Sequence, residues 1–288
     1  MPGENKLGFG DLVLCPATLG SPSLEEHVRA AAAGGFDGVS LRPWQLTGAC
    51  ERLGSMNAVK RVIDDSGLRV ADLDALMDWV DDPEYRLPSY LPADLLLPRS
   101  QVVELALAVE AQSMNVVDIS GVDRDWQLMS DSFASVCDEM AAHGMGAYIE
   151  FFFGSMMNDV DATARVVAGA GRENGGILVD TFHFHRGPDD GATQLARHAD
   201  RVRMMHVNDA GAEPWADQWA ERQHGRLLPG SGTIDLVGIL RTVQDAGGDP
   251  PIGVEVNNDA LHAMPADEAA ILAGDAIRSV LADVAARP

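Results

Sequence analysis

Eight times along this chain a short apolar run gives way to a helix-length segment, and that alternation constrains the fold more than any other feature. The runs are residues 12–15, 36–43, 68–75, 115–119, 146–154, 177–179, 202–205 and 252–256. Between and after them, helices are predicted near 24–33, 55–66, 100–112, 125–143, 159–174, 191–199, 234–246 and 265–286. Ser23 followed by Glu26 has the spacing of a capping box, and Gly34 and Gly35 end the segment it opens. Strands that alternate with helices imply a parallel sheet with right-handed crossovers. Eight such units in 288 residues fit a closed (β/α)8 TIM barrel, an α/β fold, as one domain over residues 1–288. No GxGxxG follows the first strand, so the open dinucleotide-binding sheet loses its main support. Two stretches are expected as long loops. Residues 78–98 carry Pro83, Pro88, Pro92 and Pro98, and residues 210–232 carry Trp215, Trp219 and His224.

Composition narrows the partners. The formal net charge is −23, and lysine occurs only at Lys6 and Lys60. Such a field repels a polyanion, so nucleic acid is not expected as a partner. No apolar run is long enough to span a bilayer, and the N-terminal residues lack the basic and apolar regions of a signal peptide. Cys15, Cys50 and Cys137 are too few and too far apart for a disulfide framework or a zinc motif. A cytoplasmic protein with reduced thiols is the resulting expectation, with no membrane partner.

On a barrel the C-terminal ends of the strands meet at one rim, where such folds place their chemistry. Strand 5 ends at Glu150, strand 6 at Asp180, strand 7 at His206 and strand 8 at Glu255. Neighbouring strands lie about 4.8 Å apart, so four such residues can converge on one ion. Three carboxylates and an imidazole form an oxygen-rich set that favours Mn2+, with Mg2+, Co2+ or Zn2+ also admissible. Each residue has a plainer reading: Asp180 could cap a turn, His206 could be a core histidine, and a lone glutamate could pair with a cation. Glu150 and Glu255 resist that reading, because each sits between apolar residues where an unpaired carboxylate is costly.

These residues carry a resemblance. GFDGVSL at 35–41, Glu150 in YIEF, Asp180 with His183, His206 with Asp209, and Glu255 in GVEV are similar to the xylose isomerase-like barrel superfamily. That group includes sugar phosphate isomerases and epimerases, dehydratases and endonuclease IV. The resemblance covers essentially the whole chain and implies that Glu150, Asp180, His206 and Glu255 bind one divalent ion, with His183 beside the substrate. It further implies isomerisation or epimerisation of a sugar or polyol-carbonyl compound through an enediolate, with Glu150, Glu255 and His183 as the catalytic groups. A dehydratase using the same ligands is the alternative, and a non-catalytic sugar-binding barrel the second. Endonuclease chemistry would need extra histidines at the ends of strands 2 to 4, where Arg42, Asp74 and Asp118 stand. Homo-oligomers, dimers or tetramers, are common in the group and are expected here.

The substrate contacts expected are His183, His185, Arg42, Asp209, Trp79 and Trp215, with Asp209 orienting neighbours rather than binding the ion. The chain also departs from the group's usual pattern. Phe151, Phe152 and Phe153 follow Glu150 where polar residues are common, and Asn208 stands where lysine is common. Only Arg42, Arg186 and Arg226 are placed for a phosphate. With the tryptophans, the phenylalanines suggest an apolar wall and a ring-bearing substrate.

Overall fold

A computed structural model describes residues 6–85 and 97–286. The part of the expected loop over residues 86–96, with Pro88 and Pro92, lies outside the described residues. Eight strands form a closed, all-parallel barrel in chain order. They are β1 Leu12–Leu14, β2 Gly38–Leu41, β3 Arg69–Leu76, β4 Ser113–Val117, β5 Gly146–Glu150, β6 Gly175–Asp180, β7 Val202–Val207 and β8 Ile252–Val254. β8 pairs with β1 through Leu12 and Ile252, which closes the ring. Within the described residues no helix is long and apolar enough to cross a membrane.

Helices α1 Leu24–Ala33, α2 Pro43–Leu53, α3 Met56–Ser66, α4 Arg99–Ala108, α5 Trp126–Ala141 and α6 Val160–Ala170 accompany the first five strands. α7 Thr181–His185, α8 Gly191–His198, α9 Gln218–His224, α10 Leu236–Asp245, α11 Asp259–His262 and α12 Ala266–Ala285 follow. The capping box at Ser23 and Glu26 is present in both directions. Much of the acidic composition starts helices: Asp125, Asp159, Asp180, Asp217 and Asp235 each accept backbone N–H bonds as N-caps. Four helices were not expected: the short α7 and α11, and the longer α2 and α9. α2 begins with Pro43 at a position where a missing N–H is harmless and ends at Gly54 in the left-handed region. α9 interrupts the predicted loop 210–232 and is capped by Asp217.

Strand alternation builds the site. Val13, Tyr148, Leu178 and Met204 form a small buried cluster with Leu7 and Ala71, while their chain neighbours, such as Leu14, Ile149 and Val179, join the core under the helices. Side chains two apart share a face of a strand. Two residues beyond Tyr148, Leu178 and Met204 come Glu150, Asp180 and His206, one layer nearer the C-terminal mouth. Asp180 and His206 are register partners across β6 and β7.

Candidate functional site

Ligand-type atoms of Glu150, Asp180, His206 and Glu255 all lie within 4.8 Å of one another, and all four residues are buried. Neither ring nitrogen of His206 has a hydrogen-bond partner in the described residues. A fully buried imidazole facing three carboxylates, with only the weakly bonding Cys15 thiol beside it, fits a divalent ion. The sequence-predicted ligand set is therefore brought together.

The surroundings of the four ligands differ. Asp180 Oδ1 accepts from the backbone of Phe182 at 2.7 Å and His183 at 3.1 Å, so it also caps α7. Its Oδ2 accepts from Arg226 Nη1 at 2.6 Å. Burial opposes its charge, yet the Arg226 guanidinium prevails and holds the carboxyl below its ordinary range. Glu255 Oε2 accepts from the same Arg226 nitrogen at 2.9 Å, and its Oε1 lies 3.7 Å from Arg42 Nη2. No arginine or lysine forms an ion pair with Glu150 among the described residues. Its Oε2 accepts from Asn115 Nδ2 at 2.8 Å, and burial pushes its carboxyl up to about 8.

Above the cluster a cavity of about 770 Å³ opens at the barrel mouth. Arg42, Asp74, Glu150, Trp219, Arg222 and Glu255 are among its walls. Its size is in the ordinary range for a small-molecule site. Arg42 reaches it from the end of β2, as expected, with Nε on Asp74 Oδ2 at 3.2 Å.

Other expected contacts lie elsewhere. Trp79 is fully buried against Phe133, with its indole N–H on the Val117 carbonyl at 3.1 Å, so it belongs to the core and not to the cavity wall. Trp215 is 49% exposed and packs over Gly225, where a Cβ would fall 2.7 Å from its ring. Asp209 is buried and accepts from the backbone of Ala210, Gly230, Gly232 and Ile234, which folds the loop before α10. That use of both oxygens leaves it no free acceptor for substrate. His185 is half-buried and outside the cavity lining. Arg186 is paired to buried Glu221 at 2.6 Å and is not free for a phosphate.

His183 is brought close but covered. It is 2% exposed, with Phe152, Phe153 and Phe182 rings around it and Arg222 Nε donating to its Nε2 at 3.4 Å. Burial, then Arg226 and Arg222, hold its pKa well below the ordinary value, so the ring is neutral.

Three residues escaped the sequence reading. Asn115 joins Asp74 to Glu150, at 2.9 and 2.8 Å. Asn208, noted only as a departure, donates to both oxygens of Asp180 and is itself held by Thr181. Arg222 gave one signal, its spacing four residues before Arg226 behind the cap Asp217.

The family model of the xylose isomerase-like TIM barrel matches residues 28–279. A 3-dehydroshikimate dehydratase of Pseudomonas aeruginosa is 26% identical over 276 residues, covering 91% of this chain and 40% of that protein. The chain thus spans about 40% of the length of the curated relatives it matches most fully. An inosose dehydratase of Geobacillus thermodenitrificans is 24% identical over 152 residues, covering 50% of this chain and 51% of its own. In fold, the solved structure of an IolI protein with a binding zinc atom covers 96% of this chain and all of its own at 17% identity, with a TM-score of 0.81. With the match extending over most of its length, the barrel closed and the acidic cluster at its mouth, this chain belongs to the xylose isomerase-like TIM barrel family.

Proposed function

We propose that this barrel is a divalent-metal-dependent lyase that removes water from a cyclic keto-polyol. The observation that carries the reading is the inequality of the two glutamates. Epimerisation by two bases needs two carboxylates free to exchange protons on opposite faces. Glu255 is engaged by Arg226 and approached by Arg42, whereas Glu150 is held by one amide. A site with one free base suits elimination, in which a proton and a hydroxyl leave adjacent carbons.

Glu150, Asp180, His206 and Glu255 would hold a divalent ion, whose Lewis acidity would act on a substrate oxygen. Glu150 takes the proton from the carbon beside the carbonyl. The electron pair of that C–H bond forms the new double bond, and the bond to the β-hydroxyl breaks. Glu150 returns its proton to the departing hydroxyl, which leaves as water, so the carboxylate ends as it began. Asp180, capped by α7 and tied to Asn208, fixes the rim. Neutral His183 accepts from Arg222 through Nε2, so its one N–H is on Nδ1, the proposed hydrogen-bond donor to a substrate oxygen. Phe152 and Trp219, 6.4 Å apart, close one side of the mouth against water.

Two of the curated relatives bear the names 3-dehydroshikimate dehydratase and inosose dehydratase, which supports this reading, while others bear the name inosose isomerase. Incubation of the metal-loaded chain with 3-dehydroshikimate and with inosose tests it. The expected product has lost the mass of one water and gained conjugated absorbance. Products of unchanged mass that carry solvent deuterium would instead establish the isomerase reading. That second reading is favoured by the presence of both glutamates in the cavity wall; it requires Glu255 to leave Arg226. Loading with Mn2+, Mg2+, Co2+ and Zn2+ in turn identifies the working ion, and the hard donor set favours Mn2+.

A further inference from the structure

Four arginines stand around the rim, and three of them have acidic partners. Arg42 is on Asp74, Arg186 on Glu221, and Arg226 on Asp180 and Glu255. Arg222 has no carboxylate within ion-pair distance in the described residues, and its one hydrogen bond there is the 3.4 Å contact of Nε to His183. Its guanidinium instead lies over aromatic faces, 5.1 Å from the Trp219 ring centre and 5.5 Å from that of Phe152. It is half-buried and forms part of the cavity wall with Glu150 and Glu255. A cation taken partly out of water, with its terminal nitrogens bonded to no described group, is a poor resting arrangement but a prepared anion site.

The backbone below it is fixed. Arg226 is 1% exposed, and its Nε donates to the Arg222 carbonyl at 3.1 Å. The residue that grips Asp180 and Glu255 therefore also sets where the last turn of α9 stands. Any anion held by Arg222 is thus indexed to the metal rim through one rigid side chain.

We infer that Arg222 binds a carboxylate carried by the substrate, making that substrate an anionic ring polyol. This rests on the proposed reading of the site as one for cyclic keto-polyols and adds the charge to it. The planar fork of a guanidinium matches a carboxylate with two parallel hydrogen bonds. Phosphate is a poorer match, because Arg222 has no lysine beside it and Arg42, Arg186 and Arg226 are committed to acids. The rings of Trp219 and Phe152 lie within cation–π distance of the guanidinium and hold it in the wall without using its N–H groups.

Trp219 lies in the same wall, so its fluorescence reports occupancy without turnover. The metal-loaded full chain is titrated with quinate, a ring polyol with a carboxylate, with myo-inositol, a ring polyol without one, and with inorganic phosphate. Quinate is expected to bind at least about tenfold more tightly than either, the size of a charge-assisted bond. Arg222→Gln removes that preference, Arg222→Lys restores part of it, and metal affinity by calorimetry stays unchanged in both. Equal binding of quinate and myo-inositol, binding of neither, equal binding of phosphate, or a preference that survives in Arg222→Gln overturns the assignment. So does a loss of metal affinity equal to the loss of quinate, which would make Arg222 a structural counter-charge. The two proposals separate cleanly. Dehydration of charged and uncharged ketones at equal efficiency removes only the carboxylate clamp. A quinate preference with product of unchanged mass removes only the lyase.

Discussion

The two sides of the barrel mouth hold the same residue type in opposite circumstances. On the β8 side, Glu255 accepts from Arg226 at 2.9 Å and has Arg42 at 3.7 Å. On the β5 side, Glu150 accepts from an uncharged amide at 2.8 Å and is followed by Phe151, Phe152 and Phe153. Two arginines bring positive charge to the first. Burial among apolar groups favours the neutral form of the second, the environment in which a carboxyl can exchange a proton near neutral pH. Identical side chains at equivalent strand ends can thus serve different steps, and the neighbours decide which.

The largest effect should come from removing the free base. Glu150→Gln is expected to lower kcat by about three orders of magnitude at saturating metal. Glu255→Gln should act mainly by weakening metal affinity, with kcat falling far less once the ion is saturating. Steady-state kinetics across a metal titration checks the pair. Equal losses of kcat in both variants would break the comparison and restore two-base isomerisation.

Next in size is the buried cation. Arg226→Met leaves buried Asp180 without its ion-pair partner and Glu255 with only the more distant Arg42, and breaking such a buried pair costs about 3–5 kcal/mol. Thermal melts of the metal-free protein should show this loss. Adding the divalent ion should recover most of it, because the ion supplies the missing positive charge and stabilises by binding the folded state alone. A variant that gains no more from metal than the parent does would show that Arg226 and the ion do not share these carboxylates.

A smaller effect tests the amide on the other side. Asn115→Ala removes the bond that holds both Glu150 and Asp74. About a tenfold fall in kcat with KM little changed is expected, since the base loses its orientation and the cavity keeps its shape. A matching rise in KM would mean that Asn115 positions substrate instead.

The barrel and the four rim groups could be read from sequence because they are periodic or punctuated. Ser23 with Glu26 announces a helix start, paired glycines end helices, and each candidate ligand follows a short apolar run. The supporting residues carry no such mark. Asn115, Asn208, Arg222 and Arg226 are ordinary residue types whose partners lie far away in the chain, and only the closed barrel brings them together. Tryptophans are ambiguous for a related reason. An indole packs equally well in a core or a cavity wall, and Trp79 and Trp219 fall on opposite sides of that choice. The helix Pro43–Leu53 escaped because an opening proline reads as a break unless the missing N–H is known to be harmless there.

A third carboxylate extends the comparison downward. Asp72, on β3, is fully buried, and neither of its oxygens has a hydrogen-bond partner in the described residues; the Ser40 hydroxyl is equally unpartnered. Glu255 has arginines, Glu150 an amide, and Asp72 neither. Burial accordingly pushes Asp72 up to about 7, above the value near 4 that it takes in an unfolded chain. Between those values the folded protein keeps a proton that the unfolded chain has released, so stability falls as pH rises from about 4 to 7. Above pH 7 the folded protein carries a buried charge that His206 and Ser40 offset only in part. Asp72→Asn removes the ionisation and keeps the shape. The variant should melt at about the parent's temperature near pH 4 and several degrees higher at pH 8. Calorimetric scans at the two pH values decide it: a gain that is the same at both would show that the carboxyl ionises as readily in the folded barrel as in the unfolded chain, and a loss at pH 8 would show that the charged form has a partner of its own.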